Sequence, residues 1–510
     1  MGLRSLLALW AGKLVLSAAR AAGRAGSSLP GRVARLVDPG ILTALAAQTP
    51  GGHAVITGTN GKTTTAKMLA GILAAAGHRV VHNRAGANLI AGVTTAFLAD
   101  ATWSGRVRGS VGVLEVDEAS MGATCQEVRP RAAVVTNFFR DQLDRFGELV
   151  NTVELVRRGL DRLAPGSPVA LNADDPLCAV LGAPAIPEVA AAAEGAPRDL
   201  AAEGEASRPA AAAAAPARQS GPGEAGPGKA GTAIRPIYYG LEDPEVAAGE
   251  ERTADVRHCI RCGRPYEYEV RYYAHLGRYR CPGCGLTRPR PQVYARKVYE
   301  LGPRGSTFEL VTPVGSFLCR LQVPGLYNIY NALAAVAGAV GLGLDLEAIR
   351  QGLESTGTAF GRMERLEIRE REVFLALVKN PVGYNEVLRT VLSTDARKNL
   401  VLCLNDLPAD GTDISWIWDV NFESLAEREA EINFILCSGL RAEELAVRLK
   451  YAGFPTSKIS VEPDLARALE QGLAFVRPGE LLYILPTYTA MLQMREILRR
   501  QGYLPPLWEV

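Results

Sequence analysis

Histidine is scarce in this chain of 510 residues: there are five, against nine cysteines and 56 lysines plus arginines. No obvious Cys-His pair results, which argues against a thiol hydrolase built from this chain alone. Long apolar runs are missing as well. None approaches the roughly 18 to 20 residues needed to span a bilayer. The N-terminal run Leu6 to Trp10 is soon followed by Lys13, Arg20 and Arg24, which makes a poor signal peptide. A surface helix and a membrane-touching helix remain open for it, since amphipathicity alone does not separate them. Charge of one sign is also lacking. A formal net charge of +2 demands neither nucleic acid nor an acidic partner. Finally, nine cysteines in so long a chain, four of them in two tight pairs, do not make a secreted disulfide framework. A reducing cytoplasm is the expected setting.

The length exceeds the roughly 250 to 300 residues at which one core stops growing, so several domains are expected. Residues 1–45 form a short helical lead with one expected helix and the turn-rich "GSSLPGR". From Gly51, strand-like runs ("HAVITG", "VGVLEVD", "AAVVTNF") alternate with helical ones, the pattern of a mostly parallel sheet covered by helices. This central α/β domain is expected over 46–365. Two insertions interrupt it. Residues 190–231 are Ala, Gly, Pro and Glu with almost no large apolar side chain, the composition of a weakly ordered linker. Residues 257–290 are a compact cysteine-bearing segment. A second α/β domain is expected over 366–510.

"VITGTNGKTTTAKML" joins an apolar strand-like run to a helical stretch through a glycine-rich turn. Gly58 and Gly61 let backbone N–H groups approach phosphate oxygens, with Thr59 and Asn60 between them. Lys62 at the helix start balances γ-phosphate charge, and the Thr63 hydroxyl, followed by Thr64, can ligate Mg²⁺. The strict Walker pattern is only partly met, because Ile56 stands where its first glycine belongs. A glycine turn that merely caps a helix is the plain alternative; ATP is the favoured ligand.

The stretch "TGTNGKTTT" resembles the phosphate loop of the Mur ligase family, the ATP-dependent ligases of peptidoglycan and folate polyglutamate synthesis. Other fragments follow in that family's order: "LEVDEA", "VVTNFFRDQLDRFGE", "LNADDP", "PGLYNIYNALAA" and "GRME". The resemblance implies a Mur ligase-like central ATP-binding fold with a second α/β domain after it. It also implies that Lys62 and Thr63 hold phosphate and Mg²⁺ and that Glu115 supports a metal. Asn137, Asn328 and Asn331 would lie on the nucleotide side, and Arg362 would reach phosphate. Read singly, Glu115 could be a plain carboxylate at a strand end, the asparagines turn or helix caps, and Arg362 a surface hinge residue.

Three departures from the family pattern narrow the expectation. Only about 50 residues precede the loop, so a nucleotide-sugar-binding domain is not expected there. Gln142 replaces the histidine of D-H-L-D, and no lysine lies between Lys67 and Lys229, so the family's carbamylated lysine has no candidate. The D-x-A-H-N-P signature appears as "ALVKNP", which gains Lys379. These features are similar to the branch of the family that amidates lipid II. The resemblance then implies an ATP-dependent amidation of the D-glutamate α-carboxylate to D-isoglutamine through an acyl phosphate. Ammonia would come from a GatD-type glutamine amidotransferase partner, and the work would be cytoplasmic, with peripheral contact at the inner membrane leaflet. It also implies that one aspartate of "PADGTDISWIWDVNFE" completes the partner's Cys-His pair. Asp419 is favoured because aromatic and apolar neighbours should lower its exposure, with Asp413 and Asp410 in reserve; composition alone suggests an Asp-Gly turn and exposed acids. Two rivals stand beside this reading: a ligase adding an amino acid to a folate or UDP precursor, and an ATP-switched binding module without enzymatic activity.

The cysteines carry a separate signal. Cys259 and Cys262, then Cys281 and Cys284, form C-x₂-C pairs whose separation suits a tetrahedral four-thiolate Zn²⁺ site. Such a closed site is structural, and a redox or disulfide pairing is the alternative. Tyr272, Tyr273 and Arg264 nearby are expected to cover the small ribbon's core, with no nucleic acid bound. Cys125, Cys178, Cys319, Cys403 and Cys437 sit in or beside apolar runs and are expected to be core residues.

Overall fold

The computed structural model describes residues 1–21, 28–83, 87–140, 149–183, 234–247, 255–302, 305–357, 364–394, 396–477 and 479–504. The 190–231 segment, Gln142 and Arg362 lie outside them.

β1 (His53–Thr57) is buried at every position, as a run of apolar residues must be in the middle of a parallel sheet covered on both faces. Around it form β2 (Val80–His82), β3 (Val111–Glu115), β4 (Ala132–Val135), β5 (Pro168–Asn172) and β6 (Arg235–Leu241). A hairpin of β7 (Glu267–Tyr273) and β8 (Leu276–Arg280) follows, then β9 (Val293–Gly302), β10 (Gly305–Thr312) and β11 (Gly315–Leu321). The nine-stranded sheet runs β11-β10-β9-β6-β5-β4-β1-β3-β2. It is parallel from β2 through β9, with an antiparallel meander at its far edge. After β1 the chain builds β2 and β3 on one side, then crosses to β4 on the other. That switch opens a crevice at the carboxyl end of β1, where open α/β sheets bind ligands.

The N-terminal lead contains three helices where the sequence suggested one: α1 (Leu3–Ala21), α2 (Leu29–Val37) and α3 (Ile41–Ala46). After β1 comes α4 (Lys62–Ala75), and α5 (Ile90–Asp100) follows β2. The lead packs on α5 through small residues. A Cβ on Gly31 would lie 1.9 Å from the Ala91 carbonyl, and the Gly31 N–H donates to Thr95 Oγ1 at 2.9 Å. The five lone cysteines are all buried, as expected.

A second sheet contains β12 (Glu364–Ile368), β13 (Arg371–Leu375), β14 (Lys398–Cys403), β15 (Ile432–Ser438), β16 (Ile459–Val461) and β17 (Leu481–Pro486). Its order is β12-β13-β17-β14-β15-β16, parallel except for β12. The expected α/β class holds in both sheets. Among the described residues, no helix is long and apolar enough to cross a membrane.

Candidate functional site: a phosphate loop facing the second sheet

The turn between β1 and α4 needs its glycines. Gly58 and Gly61 have φ of +119° and +86°, values that cost other residues energy. A Cβ at Gly58 would lie 2.4 Å from Thr136 Oγ1, and one at Gly61 2.0 Å from Asn331 Oδ1. The loop is braced from β4's end. Asn137 accepts the Asn60 N–H at 2.9 Å and donates back to the Asn60 carbonyl at 3.1 Å. Its own carbonyl accepts the Thr59 N–H at 2.9 Å. Asn137 therefore shapes the loop as well as lining the space beside it.

Lys62, the first residue of α4, is buried. Its Nζ donates to the carbonyls of Gly58 at 2.5 Å and Thr59 at 3.3 Å and to Glu118 Oε1 at 3.0 Å. Sequence reasoning singled out Glu115 and missed Glu118. A 3₁₀ turn, Glu118–Ser120, capped by Asp117, brings Glu118 inward. Burial pushes the Glu118 carboxyl above its usual range while the Lys62 ammonium pulls it back. The pair keeps a cation poised inside the loop, and its only sequence signal is three acids within four residues at the end of an apolar strand.

Glu115 is 2% exposed, yet its Oε2 has no hydrogen-bond partner. A buried carboxylate oxygen left this way is costly unless a cation completes it. Thr57 Oγ1 and Thr64 Oγ1 are also buried without a partner, while Thr63 is half-buried at the helix start. This donor set fits a hard divalent cation such as Mg²⁺, which prefers oxygen ligands.

The loop opens into a cleft lined on one side by Asn60, Gly61, Phe139, Tyr273 and Asn331 and on the other by Lys379, Val382 and Glu386. Asn331 lines the cleft, whereas Asn328 stands behind it: it accepts from Asn331 Nδ2 at 2.9 Å and donates to the Pro324 carbonyl at 2.7 Å. The two sheets meet at a reciprocal amide pair. Asn380 Nδ2 donates to Asn60 Oδ1 at 3.1 Å, and Asn60 Nδ2 returns a bond to Asn380 Oδ1 at 3.4 Å. Asn380 also caps the helix Pro381–Val391 through the Gly383 N–H. Asn380→Ala is expected to raise the ATP concentration for half-saturation about tenfold, the worth of one such bond. An ATP titration checks it, and an unchanged midpoint would mean the bridge does not set the loop.

The four paired cysteines converge. All four Sγ atoms lie within 4.8 Å of one another, with Cys259 to Cys284 at 3.6 Å and Cys262 to Cys281 at 3.3 Å. A tetrahedral zinc with bonds of about 2.3 Å separates its sulfurs by roughly 3.8 Å, so the cluster fits that ion. The tyrosines do more than cover the ribbon, contrary to expectation. Tyr272 is fully buried and donates to the Leu241 carbonyl at 2.9 Å. Tyr273, at the tip of β7, packs in the ATP-side cleft against Phe139 and Tyr330, with ring centroids 6.0 and 5.6 Å away. The inserted hairpin dips into the central core, which its local composition did not reveal.

The three candidate aspartates separate cleanly. Asp410 is buried and accepts from the Thr489 N–H at 2.8 Å and from its hydroxyl, which locks the start of the helix Tyr488–Arg500. Asp413 accepts the Ser415 N–H at 2.8 Å in a turn. Asp419 is exposed, which corrects the expected shielding. The 3₁₀ turn Ser415–Asp419 buries Ile417 and turns Trp418 and Asp419 outward. Among the described residues Asp419 makes no hydrogen bond or ion pair, the only one of the three so placed.

Comparison with known proteins agrees with this geometry. Residues 56–199 match the family described as Mur ligase middle domain, and residues 377–491 the family described as MurT ligase C-terminal. The chain is 36% identical, over 98% of each chain, to the lipid II isoglutaminyl synthase (glutamine-hydrolyzing) subunit MurT of Streptococcus pneumoniae. It is 32% identical, again over 98% of each, to that subunit of Staphylococcus aureus strain COL. Among solved structures it is similar in fold to a MurF from Acinetobacter baumannii, with TM-score 0.61 and 19% identity over 94% of this chain and 81% of that one. A folylpolyglutamate synthase from Mycobacterium tuberculosis, complexed with ADP and AMPPCP, gives 0.56 and 15% over 91% and 96%. Ligases of the Mur family use ATP and Mg²⁺, which the donor set around the loop fits.

Proposed function

The chain belongs to the MurT family of Mur-type ligases, and from that premise we propose that it amidates the D-glutamyl α-carboxylate of lipid II to D-isoglutamine at the expense of ATP. The observation that carries the reading is one cleft shared by the Mur-type phosphate loop and the Lys379–Asn380 segment. There the acidic and histidine positions that the resemblance associates with an amino-acid substrate are replaced.

A free carboxylate is a poor acyl donor and must be activated. One of its oxygens forms a bond to the γ-phosphorus as the bond to the ADP oxygen breaks. Ammonia then adds to the acyl carbon, loses a proton, and inorganic phosphate leaves with the carboxylate oxygen. Such transfers depend on positioning and charge neutralisation more than on covalent help. Lys62 and the loop N–H groups between Gly58 and Thr63 supply fixed positive charge, and Arg362 joins them by resemblance. Bound Mg²⁺ would be held by Thr63 and Glu115 and would neutralise phosphate charge. The sulfurs of Cys259, Cys262, Cys281 and Cys284 would hold Zn²⁺ with no open position, so its role is structural.

The ammonia would come from a GatD-type glutaminase. Asp419 is accessible to a partner, and a carboxylate behind a partner's histidine fixes its tautomer and steadies the imidazolium. Asp419→Asn is expected to lower glutamine-dependent turnover by about ten-thousand-fold, the order found when an orienting aspartate is neutralised. Ammonium-dependent turnover should stay at the parental level and the glutaminase should still co-purify. Loss of the complex itself would instead make Asp419 a docking residue.

The test of the whole reading supplies ATP, Mg²⁺, lipid II and ammonium, with and without a co-purified glutaminase, and follows the product by mass spectrometry. Exchange of a carboxylate oxygen for nitrogen is the expected change. Absence of amidated product with both nitrogen sources would sink it.

A further inference from the structure

Along α1, Leu3, Leu7, Trp10 and Leu14 recur at the spacing of one helical face, and that face points away from the protein. Their exposures are 74, 48, 42 and 62%. The opposite face, with Ala8, Leu9, Gly12 and Leu16, is buried. Soluble helices normally reverse this arrangement, with polar residues outside. The apolar stripe extends sideways in both directions. Arg4 Nε donates to the Val37 carbonyl at 2.8 Å, which places Leu36, 82% exposed, beside the first turn of α1. Trp10 Nε1 donates to the Trp103 carbonyl at 2.9 Å, which sets the Trp103 ring, 54% exposed, against the middle of α1.

The rim is basic. Arg4, Arg20, Arg32 and Arg108 are exposed, while Lys13 is buried on the covered face, its ammonium 5.5 Å from the Trp103 ring centroid. Two acids lie nearby and both are engaged: Asp38 accepts from Ser5 Oγ, and Asp100 caps the Arg108 and Gly109 N–H groups. A leucine and tryptophan face with an arginine rim is the composition of a helix that lies in the headgroup region of a bilayer.

We propose that this face, the outward side of α1 with Leu36 and Trp103, is the surface by which the protein docks on an anionic lipid bilayer. A second copy of the chain fits less well, because a two-fold contact would set the basic rims against each other. The position of the face suits the lipid-linked substrate, and this part rests on the proposed function. α2 packs on Ala91 and Thr95 in the first turns of α5. Asn88, just before α5, accepts the Asp117 N–H at 3.0 Å, and Asn83 bonds the Glu115 N–H at 2.8 Å. The docking layer is therefore mounted on the helix that starts beside the metal-side carboxylate. A substrate anchored in the membrane would have its polar end delivered close to the loop.

The test sediments the full-length chain with vesicles of phosphatidylcholine alone or mixed with phosphatidylglycerol, and reads tryptophan emission alongside. Binding to the anionic vesicles, a blue shift of emission and weakening with salt are expected. The double variant Leu7→Gln/Leu14→Gln changes only exposed positions and should bind at least about tenfold more weakly, while Leu318→Gln on the exposed meander leaves binding unchanged. Failure of the parent to sediment with anionic vesicles, or a double variant that binds as the parent does, overturns the proposal. So does a dimer formed without vesicles and lost in the double variant, which assigns the face to a second copy. Amidation of detergent-dispersed lipid II is scored separately: vesicle binding without any amidation would count against the function, and amidation without vesicle binding against the docking face.

Discussion

Lys62→Ala is expected to abolish lipid II amidation with glutamine and with ammonium alike, and to lower ADP release by at least about a hundredfold, the loss expected when one fixed donor to a transferring group is removed. The Lys62 ammonium is held by two loop carbonyls and by Glu118 in a buried setting. A γ-phosphate entering the loop competes for that ammonium and carries more charge than the carbonyls offer. Without Lys62, the loop itself offers the transferring group only N–H dipoles, and Glu118 is left as an uncompensated buried acid whose raised pKa then favours its neutral form. Lys62→Met keeps most of the stem volume and separates charge from packing. Both variants should lose turnover while the thermal midpoint moves little for Lys62→Met. ADP release at the parental rate from either would remove Lys62 from the reaction and with it the ATP reading of the loop.

The strand, loop and helix around Lys62 were legible because three independent signals coincide there. The apolar run of β1 ends at Thr57, the two glycines stand where the backbone has positive φ, and helical spacing begins at Lys62 itself. Asn331 was legible as part of a motif, and its contact with Gly61 gives the motif a physical meaning, since the loop can approach only where a side chain is missing. Glu118 was not legible, because "EVDEAS" offers three acids and only the 3₁₀ turn decides which one faces Lys62. The exposure of Asp419 was misjudged for a related reason. Aromatic neighbours in sequence imply burial only if they share its face, and a five-residue 3₁₀ turn sends Ile417 and Asp419 to different sides. The stripe on α1 was visible as amphipathic, but which side the protein covers depends on α2 and α5, whose packing no local pattern encodes.

Withdrawal of the proposed zinc from the cysteine ribbon is expected to have the second large effect, and it should reach the cleft beside the phosphate loop. Metal binding in small thiolate sites contributes on the order of 10 kcal/mol to folding of the segment that holds it, more than a hairpin of two short strands supplies by itself. What the ribbon holds in place is not peripheral. Beyond its last cysteine, Arg288 pairs with the fully buried Asp174, which also accepts the Tyr330 hydroxyl at 2.7 Å on the cleft helix Leu326–Gly341. At its tip, Tyr273 stands in the cleft, and the Tyr272 carbonyl accepts Arg389 Nη1 at 3.0 Å from the second sheet's helix Pro381–Val391. Loss of the hairpin therefore removes one cleft wall and one tie between the two sheets together. Cys281→Ser is expected to lower bound zinc from one equivalent toward none, to depress the thermal midpoint, and to weaken nucleotide binding at least about tenfold, since aromatic packing and a charged hydrogen bond are both lost. Tyr273→Ala, with the metal retained, should reproduce the binding loss without the loss of zinc. A Cys281→Ser protein that binds ATP as the parent does would confine the ribbon to a role elsewhere on the surface.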